Sequence, residues 1–366
     1  MALAKQAYAI ANPNPRVGCV LVDAHDRRIA VGHTQRAGGP HAEVMALRAA
    51  REAGHDVRGA TAWVTLEPCS HHGRTPPCCD ALIDAGIARV MVAIEDPNPL
   101  VAGRGIARLR AAGIDVQVVG GEWGQASREL NIGFFSRMVR GLPWVRLKVA
   151  ASLDGRTALN DGRSQWITSE AARVDGHAWR ARACAILTGI GTVLDDDPRL
   201  DVRGIDTPRQ PTLVVVDSRL QTPLTARLWE PPSSGTRPIW IAHAARNAQG
   251  EAALQARGAT LIHLPGPDDK VDLPALMREL ARREINELHV EAGHKLNGSL
   301  LREGCVDELL LYLAPKLLGP GRDIAALPPL PATAALDDAT QLHYHDVQRV
   351  GDDLRIVARL RGRDTF

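Results

Sequence analysis

His41 and Glu43 stand one residue apart, and two thiols follow them in order, Cys69 behind Pro68 and Cys78 behind Pro77. One imidazole, two thiols and a carboxylate beside the imidazole can build a metal site that activates water. Zinc accepts His nitrogen and Cys sulfur, and a catalytic zinc keeps three protein ligands and leaves the fourth position to water. Bound zinc brings the pKa of that water from about 16 to about 7, so hydroxide exists at neutral pH. Glu43 is then spare. It carries protons beside the metal and does not bind it.

His-x-Glu, then Pro-Cys, then a second Cys is the general signature of zinc nucleobase deaminases. The usual gap between the cysteines is two residues; here Ser70 to Pro77 make eight. A His-x-Glu triplet alone is weak, but the three pieces in this order are specific. The plainer alternative is a helix-capping His with two buried structural cysteines. His71 and His72 compete as ligands, and a loop or substrate-contact role is favoured for them.

The elements that must position these groups can be read on either side. Pro40 precedes a helical run over 41–51, with Val44, Leu47 and Arg48 at helical spacing. His41 and Glu43 then occupy its first turn, where backbone N–H groups are free and the dipole favours a carboxylate. Residues 62–66 read as a strand ending at Glu67-Pro68-Cys69. Pro76 and Pro77 open a second helix over 78–85, because proline suits the first helical positions. Both cysteines fall at element ends, where nearby N–H groups stabilise a thiolate.

Composition sets wider bounds. A chain of 366 residues suggests two ordinary domains, each able to bury a core. The net charge is +2 with no long basic run, which argues against a partner gripped through a nucleic-acid backbone. The first residues are too short and mixed for a signal peptide, and no apolar run reaches membrane-spanning length. Six cysteines, two claimed by zinc, do not make a disulfide framework. The expectation is a soluble cytoplasmic enzyme with no nucleic-acid and no membrane partner.

The first half alternates strands and helices. Strands are expected over 17–22, 28–32, 62–66, 89–94 and 114–119, and helices over 105–112 and 122–140 beside the two already named. This rhythm predicts a mostly parallel sheet with helices packed on it. Gly141-Leu142-Pro143 reads as a break and marks the boundary. In the second half, strands are expected over 144–150, 185–188, 212–216, 239–242, 260–264, 288–291 and 309–313. Helices are expected over 274–283 and 296–303, and a closing hairpin joins 342–350 to 354–360 around Gly351-Asp352.

Gly189-Ile190-Gly191-Thr192 follows an apolar strand, and Glu291-Ala292-Gly293 ends another. Glycines there let backbone N–H groups approach a phosphate at a helix start. The full dinucleotide fingerprint is absent, and a tight strand–helix turn explains the glycines as well. Lys148, Arg156, Arg180, Arg182, Arg199 and Arg203 lie nearby in sequence, either as a phosphate cradle or as a solvated surface. The residues alone lead to a nucleotide or a phosphorylated substrate.

Longer motifs go further. Asn12-Pro13-Asn14-Pro15-x-Val17-Gly18, Pro40-His41-Ala42-Glu43, the run from Thr65-Leu66-Glu67-Pro68-Cys69 through Ser70-His71-His72-Gly73-Arg74-Thr75-Pro76-Pro77-Cys78, and Asp96-Pro97-Asn98-Pro99 with Gly103-Arg104-Gly105 resemble the bifunctional riboflavin-biosynthesis deaminase/reductase family. In the second half, Lys148-Val149-Ala150-Ala151-Ser152-Leu153-Asp154-Gly155, Ser164-Gln165-Trp166-Ile167-Thr168, Thr192-Val193-Leu194-x-Asp196-Asp197-Pro198, Val290-Glu291-Ala292-Gly293 and Ala314-Pro315-Lys316 look like its reductase domain. The resemblance covers essentially the whole chain, and the eight-residue gap between cysteines is typical of the family. Asn12 stands where the family usually has Ser, Thr or His, and the opening helix is short.

The resemblance implies an α/β protein. A cytidine-deaminase-like three-layer domain would span 1–121, a connecting helix 122–142, and a dihydrofolate-reductase-like α/β domain 143–366. The first would hydrolyse the 2-amino group of a diaminopyrimidinone bearing a phosphoribosylamino arm. The second would use NADPH to reduce the ribosyl group to ribityl. Family roles fall on matching positions. His41, Cys69 and Cys78 would hold one Zn2+ per chain, and Glu43 would shuttle the proton. Ala150, Trp166, Thr192, Asp196, Ser218, Gly293, His294, Lys295, Leu296, Asn297, Gly298 and Ser299 would line the NADP site. Ser164, Arg180, Leu200, Arg203 and Glu291 would contact the phosphorylated pyrimidine. A homo-oligomer is expected. Two other readings stand beside this one: a nucleoside or nucleic-acid deaminase with an unrelated C-terminal domain, and a zinc-stabilised binding module. The near-neutral charge and the reductase motifs oppose the first. The free carboxylate of Glu43 opposes the second, since a structural zinc site usually has a fourth protein ligand.

Overall fold

The computed structural model describes every residue except 74, 332–333 and 336–337, so Arg74 of the long Cys69–Cys78 motif lies outside the described residues. The chain divides into two compact units, Met1–Gly141 and Leu142–Phe366.

The first unit runs α1 (Ala2–Lys5), β1 (Gly18–Val22), β2 (Arg28–His33), α2 (Ala42–Glu52), β3 (Thr61–Val64), α3 (Cys78–Asp84), β4 (Arg89–Val92), α4 (Arg104–Ala111), β5 (Asp115–Val118), α5 (Gly121–Leu130) and α6 (Ile132–Arg140). Its five strands form one sheet in the order β2-β1-β3-β4-β5. The expected mostly parallel sheet is in fact mixed. β1 pairs antiparallel with both β2 and β3, and only β3–β4 and β4–β5 are parallel. The short hairpin between β1 and β2 forces the first pairing.

Helix α2 buries a different face from the one its larger residues suggest. Ala42, Glu43, Ala46 and Ala50 point inward, while Val44 and Leu47 are only half-buried. The small face permits close approach: a Cβ built on Gly32 of β2 would lie 2.2 Å from the Ala42 carbonyl oxygen. His41 is the N-cap of this helix, one residue before the first turn expected for it, and Glu43 lies in that turn.

The single helix expected over 122–140 is two. Asn131 interrupts it, because its side chain is taken by a distant backbone. Its Oδ1 accepts the Arg16 N–H at 2.7 Å and its Nδ2 donates to the Arg16 carbonyl at 3.0 Å.

The second unit runs β6 (Trp144–Ser152), β7 (Arg156–Leu159), α7 (Glu170–Arg182), β8 (Ala185–Gly189), α8 (Ile190–Asp196), β9 (Thr212–Val216), β10 (Ile239–His243), α9 (Ala248–Ala256), β11 (Ala259–His263), α10 (Leu273–Arg282), β12 (Glu287–Val290), α11 (His294–Arg302), β13 (Glu308–Ala314), β14 (Gly321–Asp323), β15 (Leu342–Val350) and β16 (Asp353–Leu360). The main sheet has nine strands in the order β11-β10-β9-β8-β12-β6-β13-β16-β15. It is parallel from β11 to β13, and the closing hairpin adds two antiparallel strands at one edge. The period of two shows in the cores. Val214 and Val216 join one apolar cluster and Leu213 and Val215 the other, so the middle strands are buried on both faces. Helices α7 and α9 and strands β7 and β14 were not expected from the sequence, whereas α8 begins at the strand–helix turn read at Gly189.

Candidate metal centre and reductase cleft

Three ends of elements meet at the metal centre. His41 caps α2, Cys69 follows β3, and Cys78 opens α3. Their ligand atoms all lie within 4.8 Å of one another. Cys78 Sγ is 3.3 Å and Cys69 Sγ 3.6 Å from His41 Nδ1, and the Cys78 N–H donates to Cys69 Sγ at 3.4 Å. Among the described residues, His71 and His72 fall outside this cluster. Two sulfurs and one nitrogen in this arrangement suit zinc and leave a position for water.

The electrostatics favour metal. The Cys69 thiol is held low, at about 4, by its hydrogen bonds to Cys78 and His41, against the cost of burial. His41 is raised, chiefly by its hydrogen bond to Cys69. With Cys69 a thiolate, a second thiolate at Cys78 is disfavoured without a cation, and the Cys78 thiol is pushed up. Glu43 is almost fully buried; burial and then the Cys69 charge push its carboxyl up to about 7. Cys79 is turned away. Its Sγ donates to the Pro68 carbonyl at 3.3 Å and the Gly105 carbonyl at 3.5 Å, and burial pushes it up to about 12.

The second unit holds a cleft of about 2010 Å³ along the carboxyl ends of its parallel strands, where open α/β sheets bind ligands. It is lined by Ala150 of β6, Ser164, Trp166, Arg180 of α7, Thr192 and Asp196 of α8, Leu200, Arg203, Ser218 beyond β9, and Glu291, Gly293, His294, Lys295, Leu296, Asn297 and Ser299. Gly298 is the exception among the residues expected there. It is not among the lining residues and packs against Ala326, where an added Cβ would meet the Ala326 carbonyl oxygen at 2.2 Å. Its role is to let a loop pass close to the helix.

Glu291 is the electrostatic centre of the cleft. The Arg180 guanidinium grips it through Nε and Nη2, the latter at 2.8 Å, and Arg180 Nη1 donates to the Asp201 carbonyl at 2.9 Å. Lys148 Nζ stands 3.9 Å away and the buried His289 Nε2 3.2 Å away. Burial alone would raise the Glu291 carboxyl, but Arg180 and Lys148 hold it well below the usual carboxylate range. Arg203 pairs with Asp201 at 2.7 Å and keeps its side chain half exposed. Leu200, just before Asp201, has φ 51°, a strained value for a residue with a Cβ, and its carbonyl accepts from Arg237 Nη1 at 2.5 Å. Of the remaining cations noted in sequence, Lys148 and Arg199 line the cleft. Arg156 instead pairs with Asp323, and Arg182 pairs with the buried Glu287 at 2.7 Å.

Two strand–helix turns stand side by side. Gly189 caps α8 and Gly293 caps α11, each without a side-chain cap. A Cβ on Gly189 would press Leu296 at 2.9 Å, and one on Gly293 would lie 3.8 Å from Thr192 Oγ1. Free N–H groups at such turns suit phosphate oxygens. Trp166 is 62% exposed with Arg173 stacked 4.6 Å from its ring, which presents a flat apolar face to the cleft. Ser218 Oγ accepts the Val271 N–H at 3.2 Å. Lys148 was expected only as one of the cations that could form a phosphate cradle, and Arg173 carried no expected role.

Comparison with known proteins follows the same division. Residues 1–94 match the cytidine and deoxycytidylate deaminase zinc-binding region, and residues 143–356 match the RibD C-terminal domain. The riboflavin biosynthesis protein RibD of Escherichia coli (strain K12) is 46% identical over 364 residues, covering 96% of this chain and 95% of that protein. The chain belongs to the RibD family. RibD of Aquifex aeolicus is 39% identical, over 97% of this chain and 95% of its own. Among solved structures, RibD of Acinetobacter baumannii superposes with a TM-score of 0.86 at 40% identity, covering 98% of this chain and 96% of that one. A diaminohydroxyphosphoribosylaminopyrimidine deaminase/5-amino-6-(5-phosphoribosylamino)uracil reductase from Thermotoga maritima has a TM-score of 0.83 at 31% identity, with 98% and 96% covered. The protein is therefore a bifunctional deaminase and reductase of riboflavin biosynthesis, with a cytidine-deaminase-like domain followed by an α/β reductase domain. No helix among the described residues is long and apolar enough to cross a membrane.

Proposed function

We propose that the chain deaminates 2,5-diamino-6-(5-phosphoribosylamino)pyrimidin-4-one and then reduces the ribosyl arm with NADPH, giving 5-amino-6-(5-phosphoribitylamino)uracil. The observation that carries the first step is the cluster of His41, Cys69 and Cys78 with the buried carboxylate of Glu43 beside it, hydrogen-bonded to Cys78. These three residues would hold zinc, which when bound supplies an activated water. Glu43 takes the proton of the attacking water and returns it to the departing ammonia, acting first as base and then as acid.

In the cleft, NADPH when bound supplies the hydride, and the protein supplies orientation and electrostatics. Ala150, Trp166, Thr192, Asp196, Ser218 and residues 293–297 and 299 are the cofactor wall. Thr192 and Gly293 offer the paired helix starts to its phosphates. Ser164, Arg180, Leu200, Arg203 and Glu291 face the pyrimidine and its phosphate. Arg180 is buried on Glu291, whereas Arg203, paired with Asp201 but half exposed, turns its planar fork to two oxygens of the phosphate.

The functional division we propose is a deaminase domain over 1–121, a connecting segment over 122–142 and a reductase domain over 143–366. The protein works in the cytoplasm as a homo-oligomer on a small molecule and needs no nucleic acid. The near-neutral charge supports the last point. The test is incubation with the diaminopyrimidine substrate with and without NADPH. Ammonia release should need no NADPH, and NADPH oxidation should follow deamination. NADPH oxidation without ammonia release, or deamination of a free nucleoside in preference, would overturn the assignment.

A further inference from the structure

Glu67 takes no part in the chemistry above, yet it is 4% exposed and two residues from Cys69. A buried carboxylate is costly unless donors satisfy it. Three backbone N–H groups do so here. Oε2 accepts from Gly103 at 2.9 Å and Asp96 at 3.2 Å, and Oε1 accepts from Ile106 at 3.1 Å. These belong to the loop before α4 and to its first turn. The N-cap of α4, Gly103, has no side chain to cap with. Glu67 supplies that cap from 36 residues away, at the end where the helix dipole favours a carboxylate.

Helix α4 in turn holds the residues on both sides of Cys69. Gly105 lies so close to Pro68 that an added Cβ would sit 2.0 Å from its carbonyl oxygen. Arg108 Nη1 donates to the Ser70 carbonyl at 3.4 Å while its Nη2 pairs with Asp80 of α3 at 2.5 Å. Residues 67, 68 and 70 are thus fastened to one helix, and Cys69 is carried between them.

We propose that Glu67 is the positioning residue of the metal centre: by capping α4 it fixes the loop that carries Cys69 Sγ, and so sets how tightly and in what geometry the metal is held. It touches neither metal nor substrate. The proposal rests on the reading of His41, Cys69 and Cys78 as the zinc ligands, and Cys78→Ser is the control for that reading.

The experiment uses the full-length zinc-loaded protein and reads zinc release to a colorimetric chelator, with the visible spectrum of the cobalt-substituted protein as a second readout. Glu67→Gln should release zinc roughly ten- to a hundredfold faster, the range typical for partners that orient metal ligands, and should alter the cobalt bands. Deaminase kcat should fall with KM little changed, and reductase activity should be intact. Glu67→Asp keeps the charge but shortens the reach, and should fall between. It carries the test if the Gln variant is insoluble. A purely structural role would leave the zinc-induced gain in melting temperature unchanged, whereas a positioning role shrinks it. Folded variants with wild-type release and cobalt spectrum overturn the proposal. If Cys78→Ser also keeps its zinc, it is the ligand reading that fails.

Discussion

Arg180 and Glu291 meet edge to edge in the reductase cleft, two guanidinium nitrogens on two carboxylate oxygens, with the Arg180 side chain only 14% exposed. This pairing ties one of the arginines that line the cleft to a buried carboxylate. Arg180 holds Glu291 and, through Nη1, the Asp201 carbonyl; Arg203, half exposed on its ion pair with Asp201, is the residue proposed to meet the incoming anion.

Arg203→Ala should therefore weaken the phosphorylated intermediate and spare the cofactor. A charge-assisted hydrogen bond contributes roughly 1.5–3 kcal/mol, so KM should rise about ten- to a hundredfold. NADPH affinity, measured by tryptophan fluorescence, and deaminase activity should not change. Weakened NADPH binding alone would place Arg203 on the cofactor.

The same cluster makes the second unit acid-sensitive. Burial, Arg180 and Arg203 depress His177 to about 4. A lowered folded pKa means that the unfolded chain binds the extra proton first, so stability falls as pH drops from about 6.5 toward 4. His177→Asn should flatten that part of the stability profile. An unchanged slope in urea melts across this window would remove His177 as the cause.

Glu43→Gln should keep zinc and fold while losing deamination by about 10²–10⁴-fold, since Gln is nearly isosteric and carries no proton. Reductase activity on the deaminated intermediate should survive. Loss of zinc in this variant would show that Glu43 serves the metal and not the proton.

Cys78→Ser should lose metal and Cys79→Ser should keep it, because the Cys79 thiol is already spent on two carbonyls. Metal content of the two purified variants decides between them.

Residues 143–366 expressed alone should fold and bind NADPH without zinc, as a unit with its own core can. An insoluble fragment, or one that binds no cofactor, would show that this half depends on the rest of the chain.

The metal centre was legible because its chemistry is local: ligands at the ends of elements, each marked by a proline. Less legible was what packs those elements. The inner face of α2 is alanine, so its larger residues pointed to the wrong side. Asn131 breaks a helix through a partner 115 residues away, which no local pattern carries. Helix α7 buries only Ala172, Gly176 and Ala181, too few and too small for a visible apolar stripe. In the cleft, Lys148 and Glu291 meet because β6 neighbours β12, an adjacency that belongs to strand order and not to sequence. Gly298 shows the converse: it lies inside a run of cleft-lining residues, but its place is set by the close approach of the Ala326 backbone.

The contact between Gly32 and Ala42 changes how a mutational scan of this protein should be read. Any side chain at position 32 would push α2 off the sheet, since even a Cβ would stand 2.2 Å from the Ala42 carbonyl oxygen. The displaced helix carries Glu43 and begins at His41. Substitutions at Gly32 would therefore score as severely as substitutions of the metal ligands, although Gly32 has no side chain to do chemistry with. Such a scan measures tolerance of distance as well as of chemistry, and its most intolerant positions will include spacers that hold the reacting groups in range.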